Sequence, residues 1–178
     1  MFKNVHHLTS SAQFLQAVRA RDLESAKQIA SLNPWAVRAS EALDQQLTAA
    51  HIAVQKKDME LLQFFESLPH FDFDLEDVDG ETPLFKAIAK SQFEMVKFLV
   101  AKGARLTHTS IKNQWNPVYI AACLGSLETL KYLLSFGLDP NQQTGLKRTA
   151  LTKACWLGRV DSVKVLLSHP DIKIDHKA

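Results

Sequence analysis

Seven histidines, two cysteines and a run of carboxylates are the residues of this 178-residue chain that could do chemistry on a ligand. A helical metal site needs two ligands one turn apart on one face, usually at i and i+4. His6, His7, His51, His70, His108, His169 and His176 are scattered, and none has such a partner. A nucleophilic thiol needs a base and a group that orients it. Cys123 and Cys155 have no His and Asp in matching positions, and they form neither a CxxC pair nor a disulfide framework. The run "DFDLEDVDGE", Asp72 to Glu81, suggests calcium, but an EF-hand loop with its glycine at Gly80 would need an acid at Leu75 and a Glu at Lys86. A loose cation contact and an exposed acidic loop are the alternatives left. "TGLKRT", Thr144 to Thr149, has a Gly and two bases without the spacing of a phosphate loop, and reads as a turn. No carboxylates pair in a recognisable acid–base arrangement. The expectation is a non-enzyme with no catalytic residue, no cofactor and no metal.

If single residues carry no chemistry, the pattern they sit in must explain the chain. "ETPLFKAIAKSQFEMVKFLVAKGA" is followed by "WNPVYIAACLGSLETLKYLLSFGL" and then by "RTALTKACWLGRVDSVKVLLSHPD". "LTAAHIAVQKKDMELLQFFESLPH" precedes them, and a weaker copy, "SAQFLQAVRARDLESAKQIASLNP", comes first. An alanine recurs in register at Ala17, Ala53, Ala87, Ala121 and Ala154. Apolar pairs recur further on, at Leu61/Leu62 and Phe64/Phe65 and again at Met95/Val96 and Phe98/Leu99, with charged residues between them. That spacing of three and four marks one apolar face of a helix. Thr82-Pro83 and Asn116-Pro117 read as helix starts, because Thr or Asn caps free N–H groups and Pro fits the first helical position. Gly103 and Gly137 follow second helices, and Gly125 and Gly158 sit in the links between helices. Each repeat reads as turn, short helix, tight link, longer helix, turn. One such repeat cannot bury its own apolar face, but stacked copies can.

"GETPLFKAIA" resembles the ankyrin-repeat signature G-x-T-P-L-H-x-A-A. "LTAAHIA", "NPVYIAACLGS" and "RTALTKACWLG" are degraded copies in register. The resemblance implies an all-α solenoid of stacked helix-turn-helix units with short β-turn or hairpin loops. It implies one ankyrin-repeat domain over residues 1–178, with units near 11–40, 43–74, 77–108, 111–142 and 144–175. Only Thr82-Pro83 keeps the Thr-Pro pair and only His51 the signature histidine, which in the family bonds to backbone. The first unit lacks the turn signature, and the link after Leu68 is long. "LLSFGLDPN" is similar to the segment in which ankyrin asparagines are hydroxylated. Asn141 would be the residue, with Pro140 departing from the usual aliphatic neighbour.

The charge of +2 says little, but its distribution says more. Residues 1–40 hold five bases and two acids, residues 41–81 two bases and eleven acids, and residues 82–178 fourteen bases and six acids. An acidic band therefore precedes a mildly basic second half. It is either ordinary solvated surface or a field that orients a charged partner. Free cysteines, no signal-peptide core and no window of about 18–20 apolar residues point to a cytoplasmic or nuclear protein without a membrane span. Arg19, Arg21, Lys27 and Gln28 suit a polar end cap. Val160, Val163, Val165, Leu166 and Leu167 look internal, so a further domain or a second chain is expected to cover the C-terminal face.

In the ankyrin family, partners contact the turn tips and the first helices lining a concave face. Carried over by register, the partner-binding candidates are Trp115, Trp156, Leu124, Leu157, Arg148, Lys112 and Lys90. Trp and Arg are the residues most often found at binding hot spots. Trp35 is expected instead to pack in the loop after the first unit. The expected function is a non-catalytic interaction module for a protein or peptide. The alternative is an N-terminal targeting or scaffolding region of a larger enzyme, channel or effector. Nucleic acid is disfavoured, because the bases are interspersed with acids and no aromatic–basic stripe appears.

Overall fold

A computed structural model of the chain describes residues 3–38, 47–111 and 114–174. Ten α-helices run in chain order: α1 Lys3–Ala20, α2 Leu23–Leu32, α3 Ala49–Lys56, α4 Met59–Glu66, α5 Pro83–Ala89, α6 Phe93–Ala101, α7 Pro117–Leu124, α8 Leu127–Leu134, α9 Ala150–Trp156 and α10 Val160–Leu167. A short 3-10 helix, Pro34–Arg38, follows α2. The described residues hold helix pairs and no strand, as the repeat demands.

Local chemistry sets where each helix begins. The Thr82 hydroxyl accepts from the Phe85 N–H and the Asn116 side chain accepts from the Tyr119 N–H, each ahead of a proline at the first helical position. Asp22 and Asp58 cap α2 and α4 by accepting from the Ser25 and Leu61 N–H groups. At α3 the cap is shared: the Thr48 hydroxyl lies 2.8 Å from His51 Nδ1, and the ring is buried. The Thr48 N–H also donates to His51 Nδ1, at 3.4 Å, so the signature histidine bonds to backbone as expected. Gly103, Gly125, Gly137 and Gly158 all adopt the left-handed backbone that ends a helix, with φ between 66° and 83°.

The two kinds of helix bury different things. First helices are buried on nearly every side: α3 buries Ala49 through Val54, and α7 buries Pro117 through Ala122. Four of the recurring alanines, Ala53, Ala87, Ala121 and Ala154, are 0% exposed, and Ala17 is buried too. A methyl group is what fits where one first helix lies against the next. Second helices instead present one apolar stripe: Leu61, Leu62 and Phe65 on α4, Met95, Val96 and Leu99 on α6, and Leu130, Leu133 and Leu134 on α8.

The chain divides into two compact bodies, Met1–Val78 and Asp79–Ala178. In the first, α1 packs on α2, on the 3-10 helix and on α3, and α3 packs on α4. Arg21 pairs with Asp58 and Glu60, and Lys56 Nζ donates to the Arg19 carbonyl, so consecutive hairpins are tied at their links. Arg19, Arg21, Lys27 and Gln28 are all exposed. Two expectations are corrected here. Trp35 is 66% exposed, because Ala36 and Val37 take the inward side of the 3-10 turn. The acidic segment after Leu68 is not simply a solvated loop. Phe71 stacks on Phe65 at 4.6 Å and Phe73 lies against Phe71, so its aromatic residues anchor it, and Asp77 is buried.

In the second body, α5, α7 and α9 lie side by side as one layer, and α6, α8 and α10 form the other. The links are joined by side chains: Ser91 Oγ lies 2.6 Å from Ser126 Oγ, and Arg159 Nε donates to the Cys123 carbonyl at 2.9 Å. The loops before first helices are joined as well. Asn141 Nδ2 donates to the Asp171 carbonyl and Asn141 Oδ1 accepts from the Lys173 N–H, at 2.8 and 2.7 Å. On α10, Leu166 is fully buried, while Val160 and Leu167 are 61% and 47% exposed.

Candidate partner-binding surface

The tip of the last hairpin is built by two threonines. Thr144 N–H donates to the Arg148 carbonyl at 2.9 Å, closing the turn that presents Lys147 and Arg148. Thr149 then caps α9, its hydroxyl accepting from the Thr152 N–H, while the Thr152 hydroxyl accepts from the Thr149 N–H. With its start fixed, α9 buries Ala150, Leu151 and Ala154. The other side of this helix therefore carries Thr152, Lys153 and Trp156 outward. Lys153 and Trp156 are three residues apart, one above the other on a helix. The Lys153 ammonium lies 3.8 Å from the centre of the Trp156 ring, within cation–π range. Arg148, Thr152, Lys153 and Trp156 line a pocket of about 250 Å³.

The neighbouring helix, α7, packs against α9. Burial pushes the Tyr119 phenol above its ordinary pKa, and the field of Arg148 offsets part of the shift. Burial likewise raises the Cys123 thiol, opposed by the fields of Lys153 and Arg159 and by a hydrogen bond with Tyr119. Three cations thus act on one pair of α7 side chains.

The seven candidates fall in different places. Trp156 and Arg148 meet in the pocket, with Trp156 76% exposed. Leu157 follows α9 and is exposed. Leu124 is exposed beside Gly125 and Arg159, in a separate depression between the helix links. Lys90 is an exposed cap residue after α5. Trp115 is half-buried with its ring 5.9 Å from that of Tyr119, so packing uses this ring. Lys112 and His176 lie outside the described residues, as do the side chains of His6 and His7. Lys153, Thr152 and Arg159 were not among the candidates. The i, i+3 spacing of Lys153 and Trp156 was the signal for the first. Arg159 is placed by its bond to Cys123, which no local pattern foretells.

Among the described residues no group of three or more His, Cys, Asp or Glu could hold a metal, and no helix is long and apolar enough to cross a membrane.

The family model for ankyrin repeats, in three copies, matches residues 14–110 and 107–178. The chain belongs to the ankyrin-repeat family. Ankyrin repeats are generally modules for binding protein partners and are generally non-catalytic. An ankyrin repeat-containing protein of Treponema pallidum is 33% identical over 101 residues, which is 56% of this chain and 33% of that protein. The transient receptor potential cation channel subfamily A member 1 of Homo sapiens is 29% identical over 129 residues, 67% of this chain and 11% of the channel. The E3 ubiquitin-protein ligase KEG of Arabidopsis thaliana is 27% identical over 124 residues, 68% of this chain and 8% of the ligase. The chain therefore aligns with a third or less of each of these relatives.

Proposed function

We propose that this ankyrin stack is a non-catalytic module whose turn tips and first helices form the concave surface for a protein or peptide. The surface is centred on Trp156 and Arg148, with Leu157, Leu124, Lys90 and the exposed edge of Trp115 around them. One observation carries the reading. Trp156 is a large aromatic residue left 76% exposed on a helix whose packing is already met by Ala150, Leu151 and Ala154. Desolvating such a ring against a partner contributes strongly to binding.

The test is a peptide-display selection on the immobilised chain, repeated with Trp156→Ala. Because the ring is exposed, the variant should melt at the parent temperature. Selected peptides should lose about tenfold or more in affinity, the loss typical of a hot-spot residue. Peptides that bind parent and variant equally would move the site elsewhere.

A second reading rests on the partial coverage of the relatives. Here the chain is a targeting or scaffolding region within a larger channel, enzyme or effector. The stack then brings that activity to its partner, and the binding face is unchanged.

A further inference from the structure

Four cations elsewhere among the described residues are held by carboxylates. Arg21 pairs with Asp58 and Glu60, Lys86 with Glu81, Lys97 with Glu94, and Lys164 with Asp161. On the α9 face the pattern stops. Residues 144–160 contain Lys147, Arg148, Lys153 and Arg159 and no acid. Among the described residues no carboxylate pairs with Arg148, Lys153 or Arg159. Lys153 rests on the Trp156 ring, and Arg159 donates to a backbone carbonyl, contacts that neutralise neither charge. The acids that precede and follow this segment in the chain have other settings. Asp139 accepts from the Asn141 N–H, Asp161 pairs with Lys164, and Glu128 stands in the first turn of α8.

We propose that the occupant of this face is an acidic peptide segment, its carboxylates reaching Arg148 and Lys153 and an apolar side chain lying on Trp156. The inference rests on the reading of this face as the binding surface and adds the chemistry of what it takes. A guanidinium offers a carboxylate two parallel N–H donors, and an ammonium offers a point charge. The pocket of about 250 Å³ bounded by Arg148, Thr152, Lys153 and Trp156 is sized for one side chain. Leu157 and Leu124 give apolar area beyond it. A nucleic acid fits less well. Its binding wants a track of cations along a backbone and several stacking rings, and Trp156 is the single exposed aromatic residue of this pocket.

Complementary charge raises the encounter rate and rejects partners of like charge. Salt should therefore weaken the complex, since the cations involved are solvent-accessible.

The experiment is fluorescence anisotropy of the whole chain with labelled synthetic peptides of equal length. One alternates Glu and Leu, a second replaces every Glu by Gln, and a third replaces every Glu by Lys. A single-stranded oligonucleotide is the fourth probe. The Glu peptide should bind about tenfold or more tightly than the Gln peptide at low salt, lose that advantage as salt rises, and outcompete the oligonucleotide. The Lys peptide should not bind. Arg148→Glu with Lys153→Glu should remove the preference for Glu, and Trp156→Ala should weaken the Glu and Gln peptides alike. If the Glu and Gln peptides bind equally and both weaken with Trp156→Ala, the face stands and its acidic preference is wrong. If no peptide responds to Trp156→Ala, or none binds, the face itself is wrong and the inference falls with it. Tighter binding by the oligonucleotide overturns it in favour of phosphate. The Glu–Gln comparison and the salt series need no variant, so a substitution that unfolded the chain would not shield the proposal.

Discussion

The two thiols illustrate how position, rather than residue type, sets reactivity. Cys155 is exposed on α9, whereas Cys123 is partly covered on α7. Burial raises the Cys123 pKa, so at a given pH less of it is thiolate, the form that reacts. Iodoacetamide near neutral pH should modify Cys155 first, and Cys123 should follow only as the pH is raised or the chain unfolds. Peptide mass mapping over time reads the order directly, and simultaneous labelling would mean that the Cys123 environment is open. The same contrast governs what a sequence can tell. His51 was legible as a structural residue, because its register placed it at the turn-and-helix position and its bonds to Thr48 lie within one turn. Trp35 was not, because the side of the 3-10 turn that faces inward is decided by the helices around it. Lys153 could have been placed beside Trp156 by helical spacing alone. The half-burial of Trp115 depends on Tyr119, whose position follows from the packing of α7.

At the scale of elements, helix existence and boundaries were written in local chemistry. Thr-Pro, Asn-Pro and helix-ending glycines are short-range signals: α5 and α7 begin where the first two stand, and α7 ends at Gly125. How one repeat joins the next was not legible, because it depends on side chains about thirty positions apart. Asn141 is the clearest case, with its amide and carbonyl oxygen bridging to Asp171 and Lys173. Asn141→Ala removes both bonds at a mostly buried position and should cost about 1–3 kcal/mol. Asn141→Asp keeps an acceptor for the Lys173 N–H but turns an oxygen towards the Asp171 carbonyl. It should therefore be no better than alanine at neutral pH and should recover part of the loss in acid, where the new carboxyl can donate. Urea titrations of the three proteins at two pH values would decide this. An Asp variant as stable as the parent would show that the bridge to Asp171 contributes nothing.

At the scale of the molecule, a linear stack is held by nearest neighbours, so its stability is local and graded. Within Asp79–Ala178, α7 has α5 on one side and α9 on the other, and α8 has α6 and α10. The last hairpin has a neighbour on one side only among the described residues, and α10 leaves Val160 and Leu167 open to solvent. Opening α9 and α10 exposes one interface, whereas opening α7 and α8 exposes two. Amide exchange of the isolated chain should therefore be slowest in α7 and α8 and faster in α9 and α10. The Glu–Leu peptide, seated on Arg148, Lys153 and Trp156, should slow exchange in α9 more than in α8, because a ligand stabilises the state that binds it. Leu133→Ala tests the same coupling from within. A fully buried leucine lost from α8 should cost about 2–5 kcal/mol. It should also speed exchange in α10, which packs on α8. Uniform exchange across α7 to α10, unchanged in shape by Leu133→Ala, would mean that these hairpins open as one block and that the nearest-neighbour account of this body is wrong.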